Sequence, residues 1–162
     1  MNKPTPLIKG AITGAVMAAT SLLLIYTKQP PDTNLQYLVY VFYAAGIGWT
    51  LFDYSRSDNY SGKFWDIVGQ AFRCFIVVSL IMVVFTGVYT AMHPEIAEEA
   101  AKLYKADLLK EGNKTPAEIE TLVETAKKQF LTGNIMLTIF GTLISGSIFT
   151  LAGAGLLLMR RK

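Results

Sequence analysis

Four apolar stretches alternate with polar ones along this chain, at about residues 7–26, 35–52, 67–92 and 131–159. Each reaches or approaches the roughly 20 residues that carry a helix across a bilayer's hydrocarbon core. None holds an ionisable side chain near its middle. A charge there is costly and usually marks an ion path, a proton relay or a catalytic group. The pattern therefore predicts an all-α, polytopic membrane protein: a four-transmembrane-helix bundle whose interior is chemically quiet.

The punctuation between the stretches is specific. Lys28-Gln29-Pro30-Pro31-Asp32 stops the first, because two prolines deny the helix its next hydrogen bonds. The second opens at Leu35 and ends in Trp49, Phe52 and Tyr54, aromatics suited to an interfacial belt. A polar loop from Asp53 to Lys63 follows. Phe64, Trp65, Val68 and Phe72 then fall near helical spacing, with Asp66, Gln70 and Arg73 between them. That reads as an amphipathic entry turn in the headgroup region, with Arg73 snorkelling to the interface.

Residues 94–130 hold the polar remainder, predicted as an amphipathic helical hairpin between the third and fourth spans. Pro94 suits a first helical position, and Gly112-Asn113 suits a C-terminal end. Ile96, Ala100, Leu103, Tyr104 and Leu108 make one apolar face. Thr115-Pro116-Ala117-Glu118 has the form of a capping box. Ile119, Leu122, Val123, Ala126 and Phe130 extend the second helix, which is expected to run on into the fourth span with Gly133-Asn134 as its weak point. The two faces need cover, from each other, from the bilayer surface or from a partner. Leu103, Tyr104, Leu108, Ile119, Leu122 and Val123 form the candidate partner surface.

Composition agrees with this picture. Of 162 residues, 52% are hydrophobic and 17% charged, and mean hydropathy is +0.37; the chain has room for one domain. A net charge of +3 makes no case for nucleic acid. One cysteine, Cys74, allows no internal disulfide, and one histidine, His93, allows no multi-histidine metal site. The first stretch is too long for a signal-peptide core and lacks a small-residue cleavage pattern, so an uncleaved span is expected. With the N-terminus cytoplasmic, the inner side holds eight Lys and Arg against three acids, and the outer side seven against nine. Arg160-Arg161-Lys162, directly after the last span, favours that orientation, with both ends inside and the hairpin outside.

Several stretches together resemble a membrane family of Bacteroidota, the domain-of-unknown-function 4199 family. They are Lys9-Gly10-Ala11-Ile12-Thr13-Gly14, Phe64-Trp65 with Gly69-Gln70-Ala71-Phe72-Arg73, and the loop through Pro94-Glu95-Ile96, Leu109-Lys110-Glu111-Gly112 and Pro116-Ala117-Glu118-Ile119-Glu120. Gly141, Gly146 and the Met159-Arg160-Arg161-Lys162 end complete the likeness, which covers nearly the whole chain. The resemblance implies a four-helix inner-membrane protein and no activity. Family members often carry an acid and a proline in the last span, whereas residues 138–151 have neither.

Candidate chemistry is sparse. Gly10, Gly14 and Ala18, then Ala44 and Gly48, then Gly141, Ser145 and Gly146 form small-residue faces that let helices approach closely in lipid. They serve packing within the bundle or contact with another chain. Trp65 and Arg73 are candidate interface anchors; Arg73, with Asp53, Asp58 or Asp66, has the chemistry to grip a lipid phosphate. His93 at a span end is an interfacial histidine or a switch. Cys74 is expected to be a buried, inert thiol. No nucleophile and base share a recognisable spacing. The expectation is a non-enzymatic inner-membrane subunit of a larger envelope complex, with no cofactor or metal, whose partners are membrane lipids and other proteins or copies of itself. The alternative is a small oligomeric transporter or channel, with Ser79, Thr138, Thr142, Ser145 and Ser147 lining a narrow path.

Overall fold

The computed structural model describes residues 4–27 and 37–160. The prolines after the first span, the opening of the second at Leu35, Lys3, Arg161 and Lys162 lie outside them. The described residues form five α-helices and no strand: α1 (Pro6–Tyr26), α2 (Tyr37–Ser55), α3 (Phe64–Met92), α4 (Pro94–Glu111) and α5 (Pro116–Arg160). By length and composition α1, α3 and the Pro116–Met159 part of α5 can each cross a membrane. Over its 19 described residues α2 is rich in tyrosine and glycine, which lowers its hydropathy below that of the other three.

Local chemistry sets the helix ends. Thr5 caps α1 by accepting from the Ile8 N–H, with Pro6 in the first turn. Gly62 and Gly112 take φ of +70° and +67°, the left-handed conformation that ends a loop or a helix at little cost for glycine. At the start of α5 the Thr115 N–H and hydroxyl both donate to Glu118 Oε2 at 2.8 Å, and the Glu118 N–H returns a 3.4 Å bond to Thr115 Oγ1. The expected capping box is therefore in place. The Thr115 N–H, then its hydroxyl, holds the Glu118 carboxyl below its usual range. Such a carboxylate stabilises the helix start above its unfolded pKa of about 4.3, and this is lost as pH falls through the lower folded value. Thr115→Ala is expected to weaken this start by about 1 kcal/mol, read as faster amide exchange at residues 117–119.

The chain divides into two compact units, residues 1–82 with 139–162 and residues 83–138. In the first, α1, α2, the first two-thirds of α3 and the last half of α5 pack around Tyr43, Met17, Ile47, Ile67 and Val78, none more than 1% exposed. Antiparallel α1 and α2 are locked by Thr13 against Gly46, where a Cβ would strike the threonine side chain. Gly10 and Gly14 face α3: a Cβ at Gly10 would stand 2.5 Å from the Cys74 carbonyl oxygen, and one at Gly14 would meet Ile81. The Tyr43 hydroxyl donates to the Thr142 carbonyl at 3.0 Å, tying α2 to α5, and the ring sits edge-on to Phe149.

The expected amphipathic entry, Phe64–Arg73, opens α3 with an exposed side at Trp65 and Phe72, 75% and 50% exposed, and a buried side at Ile67, Ala71 and Cys74, all 0% exposed. They begin a buried stripe that continues through Phe75, Val78 and Met82, so the segment is simply the first part of α3. As expected, the second polar helix runs on into the last apolar stretch: α5 is helical throughout, across Gly133-Asn134, where the Asn134 carbonyl accepts from Thr138 Oγ1 at 2.9 Å.

In the second unit the Thr138 and Thr86 hydroxyl oxygens are 3.2 Å apart, within hydrogen-bond distance, and Gly87 lies against Ile135, so α3 and α5 run side by side. Lys127 pairs with Glu98 at 2.8 Å, joining α4 to α5 across 29 residues. Ala101, Leu108 and Ile119 are buried in this unit. Leu103, expected on that face, is 70% exposed. The buried stripe of α4 passes through Ala101 and Leu108 instead, seven residues apart and so nearly on one line.

Candidate functional site

The first unit holds an ion pair where the sequence suggested only a basic N-terminal region and a loop. Pro6 starts α1, so Lys9 falls at the end of its first turn, on the side facing α2. Because α2 runs antiparallel, its last turn brings Asp53 to the same level. Lys9 Nζ bonds Asp53 Oδ2, with the lysine side chain 4% and the aspartate 25% exposed. Trp49, one turn before Asp53, places its ring centroid 5.3 Å from the ammonium. Ammonium, carboxylate and indole together satisfy a cation that burial would otherwise penalise. The legible signal was a lysine and an aspartate at the same end of two neighbouring antiparallel spans.

Beyond this pair lies a row of buried polar groups. The Thr50 hydroxyl donates to the Gly46 carbonyl at 3.0 Å, and Cys74 Sγ stands 3.9 Å from that same oxygen. Cys74 is 0% exposed, as expected of an inert thiol. The hydroxyls of Ser79 and Thr150 are buried and lack hydrogen-bond geometry with any described group, although Ser79 does lie toward the Tyr43 hydroxyl. Among the described residues no three His, Cys, Asp or Glu side chains are placed to hold a metal ion.

On the outer surface of α1 and α2 a groove of about 300 Å³ opens beside Trp49. Ile12, Thr13 and Val16 form one wall, and Phe42, Ala45 and Trp49 the other. Beyond Trp49 the same stripe of α2 continues to Phe52, whose ring lies 4.0 Å under the Arg56 guanidinium.

The small-residue faces resolve individually. Gly10, Gly14 and Gly146 sit where a Cβ would collide, Gly146 against Tyr43 and Phe75. Ala18, Ala44 and Ser145 are half-buried. Gly48 and Gly141 meet nothing within 4 Å; the close approaches fall on Gly46 and on Gly153, which faces Leu51. Within this chain Gly48 and Gly141 are therefore not packing glycines. Periodicity picks a helix and a residue class, but a two-residue offset turns the side chain by roughly 200°.

Trp65 is 75% exposed and Arg73 is exposed too. No described carboxylate pairs with Arg73, and Asp53 is engaged by Lys9, so the expected Arg73 cluster with Asp53 is not formed. Asp66 instead accepts from the Ser61 hydroxyl. His93 stacks on Tyr89 at 4.2 Å, with Nδ1 2.9 Å from the Tyr89 carbonyl oxygen, which makes it a helix-end residue. On the polar helices Leu108 and Ile119 are buried, Val123 is half-buried, and Leu103, Tyr104 and Leu122 are 70%, 41% and 37% exposed. The Lys127 ammonium beside Glu98 holds that carboxyl below its ordinary range.

One protein-family model, DUF4199, described as a protein of unknown function, matches residues 9–160. No curated protein and no solved structure matches the chain.

Proposed function

The chain belongs to the DUF4199 family, and from that premise we propose a non-enzymatic accessory or assembly subunit of a larger envelope complex. It lies in the bacterial inner membrane as a four-span bundle, with α2 as the fourth crossing. Its ends are cytoplasmic, and α4 with the start of α5 forms an extracytoplasmic hairpin. The single observation that carries this reading is the exposure of Leu103, Tyr104 and Leu122 on polar helices whose buried positions are already filled by Ala101, Leu108 and Ile119. Large apolar side chains that a helix pair does not use are the usual material of a partner surface.

The test is a pull-down of the tagged full chain in mild detergent. A stoichiometric partner should co-purify with the native chain and be lost, by about tenfold or more in recovery, from the double variant Leu103→Ser with Leu122→Ser. A chain that returns alone at every detergent strength, with no loss on mutation, overturns the proposal. The buried hydroxyls and the Lys9–Asp53 pair support a second reading, a small oligomeric transporter or channel. Solute exchange by the isolated chain in liposomes would favour it.

A further inference from the structure

We propose that the groove between α1 and α2 binds one phospholipid, its acyl chain lying along the groove and its phosphate on Arg56. The inference needs α2 to lie in the bilayer, as the four-span reading has it.

Shape and chemistry argue together. Phe42, Ala45, Trp49 and Phe52 are spaced three, four and three residues apart, so they form one stripe along α2, and Arg56, the first residue after the helix, sits over the last of them, Phe52. Ile12 and Val16 of α1 face the same space, and Phe42, Trp49, Ile12 and Val16 are all between 36% and 45% exposed. Such surfaces suit hydrocarbon. From Phe42 to the end of α2 at Ser55 the helix rises about 20 Å, against about 15 Å for the hydrocarbon of one leaflet and about 5 to 7 Å for its headgroup layer. The apolar stretch thus matches the depth of one leaflet, and the guanidinium falls at phosphate level.

Charge selects the headgroup end. Arg56 is exposed, no described carboxylate pairs with it, and its guanidinium is braced on the Phe52 ring at 4.0 Å. A braced, planar donor fork is suited to two phosphate oxygens. Lys9 is unsuited to that role, because Asp53 already neutralises it and it is buried. Its contribution is to fix Trp49, the wall of the groove, from behind.

Native mass spectrometry of the full chain with phosphatidylglycerol bearing two 16-carbon chains tests this. The native chain should keep one lipid through activation that strips the rest. Arg56→Gln, which removes the donor fork at the surface, and Ala45→Phe, which fills the groove, should each lower that occupancy about fivefold to tenfold. Arg56→Lys should lose less, and Arg73→Gln, an exposed arginine away from the groove, nothing. Equal loss with Arg73→Gln, or full retention in both Arg56→Gln and Ala45→Phe, overturns the proposal. So does a delipidated native chain that forms a dimer which Ala45→Phe splits, since a second copy would then be the occupant. Should Ala45→Phe lose its helical circular dichroism, Arg56→Gln decides alone. Val41→Cys, with its thiol shielded from a water-soluble maleimide, confirms that α2 lies in the bilayer. Lipid loss can then be judged separately from topology.

Discussion

Asp53→Ala is expected to destabilise the chain by about 3 kcal/mol, the cost of leaving a buried cation without its partner. The Lys9 side chain is only 4% exposed. The aspartate, at 25% exposure, is itself partly solvated, so the cost belongs at the lower end of the range for buried pairs. Replacing both partners by apolar residues, Lys9→Met with Asp53→Leu, removes the stranded charge and should recover most of the loss. Thermal unfolding in detergent measures both. A harmless single variant, or a double variant as unstable as the single, would show that the pair contributes nothing.

Gly10→Leu should be at least as damaging, at about 3 kcal/mol or more, because the obstacle is the Cys74 backbone carbonyl, which cannot rotate aside. Gly48→Leu, in the neighbouring helix and also on a small-residue face in the sequence, should cost almost nothing, since its Cβ meets open space. The contrast discriminates better than either variant alone. If both variants unfold at the same temperature as the native chain, the closeness of α1 to α3 at this level is wrong.

Those two glycines also show what the sequence made legible. Apolar length announced the helices, and chain punctuation set their ends, because caps and prolines act within four residues and need no tertiary partner. Pro94, Gly112 and the Thr115–Glu118 box all behave that way. Choosing Gly46 over Gly48 needs the rotation of α2 about its axis, which is set by Thr13 on another helix. Leu103 illustrates the same limit. It fits a helical stripe with Tyr104 and Leu108, yet the buried line of α4 runs through Ala101. A smaller residue at the contact lets the helices approach more closely than leucine would. Lys9 and Asp53 were each readable as ordinary flanking charges. Only the antiparallel register of α1 and α2 turns them into a pair, and register is a property of two segments at once.

That pairing also has a schedule. Asp53 lies 44 residues after Lys9, so at about 5 to 20 residues per second the carboxylate is synthesised about 2 to 9 s after the ammonium. During that interval the Lys9 ammonium is without the carboxylate it meets in the folded chain. The ion pair therefore forms only after α1 and nearly all of α2 have been synthesised. A charge in the first turn of α1 thus waits for one in the last turn of α2.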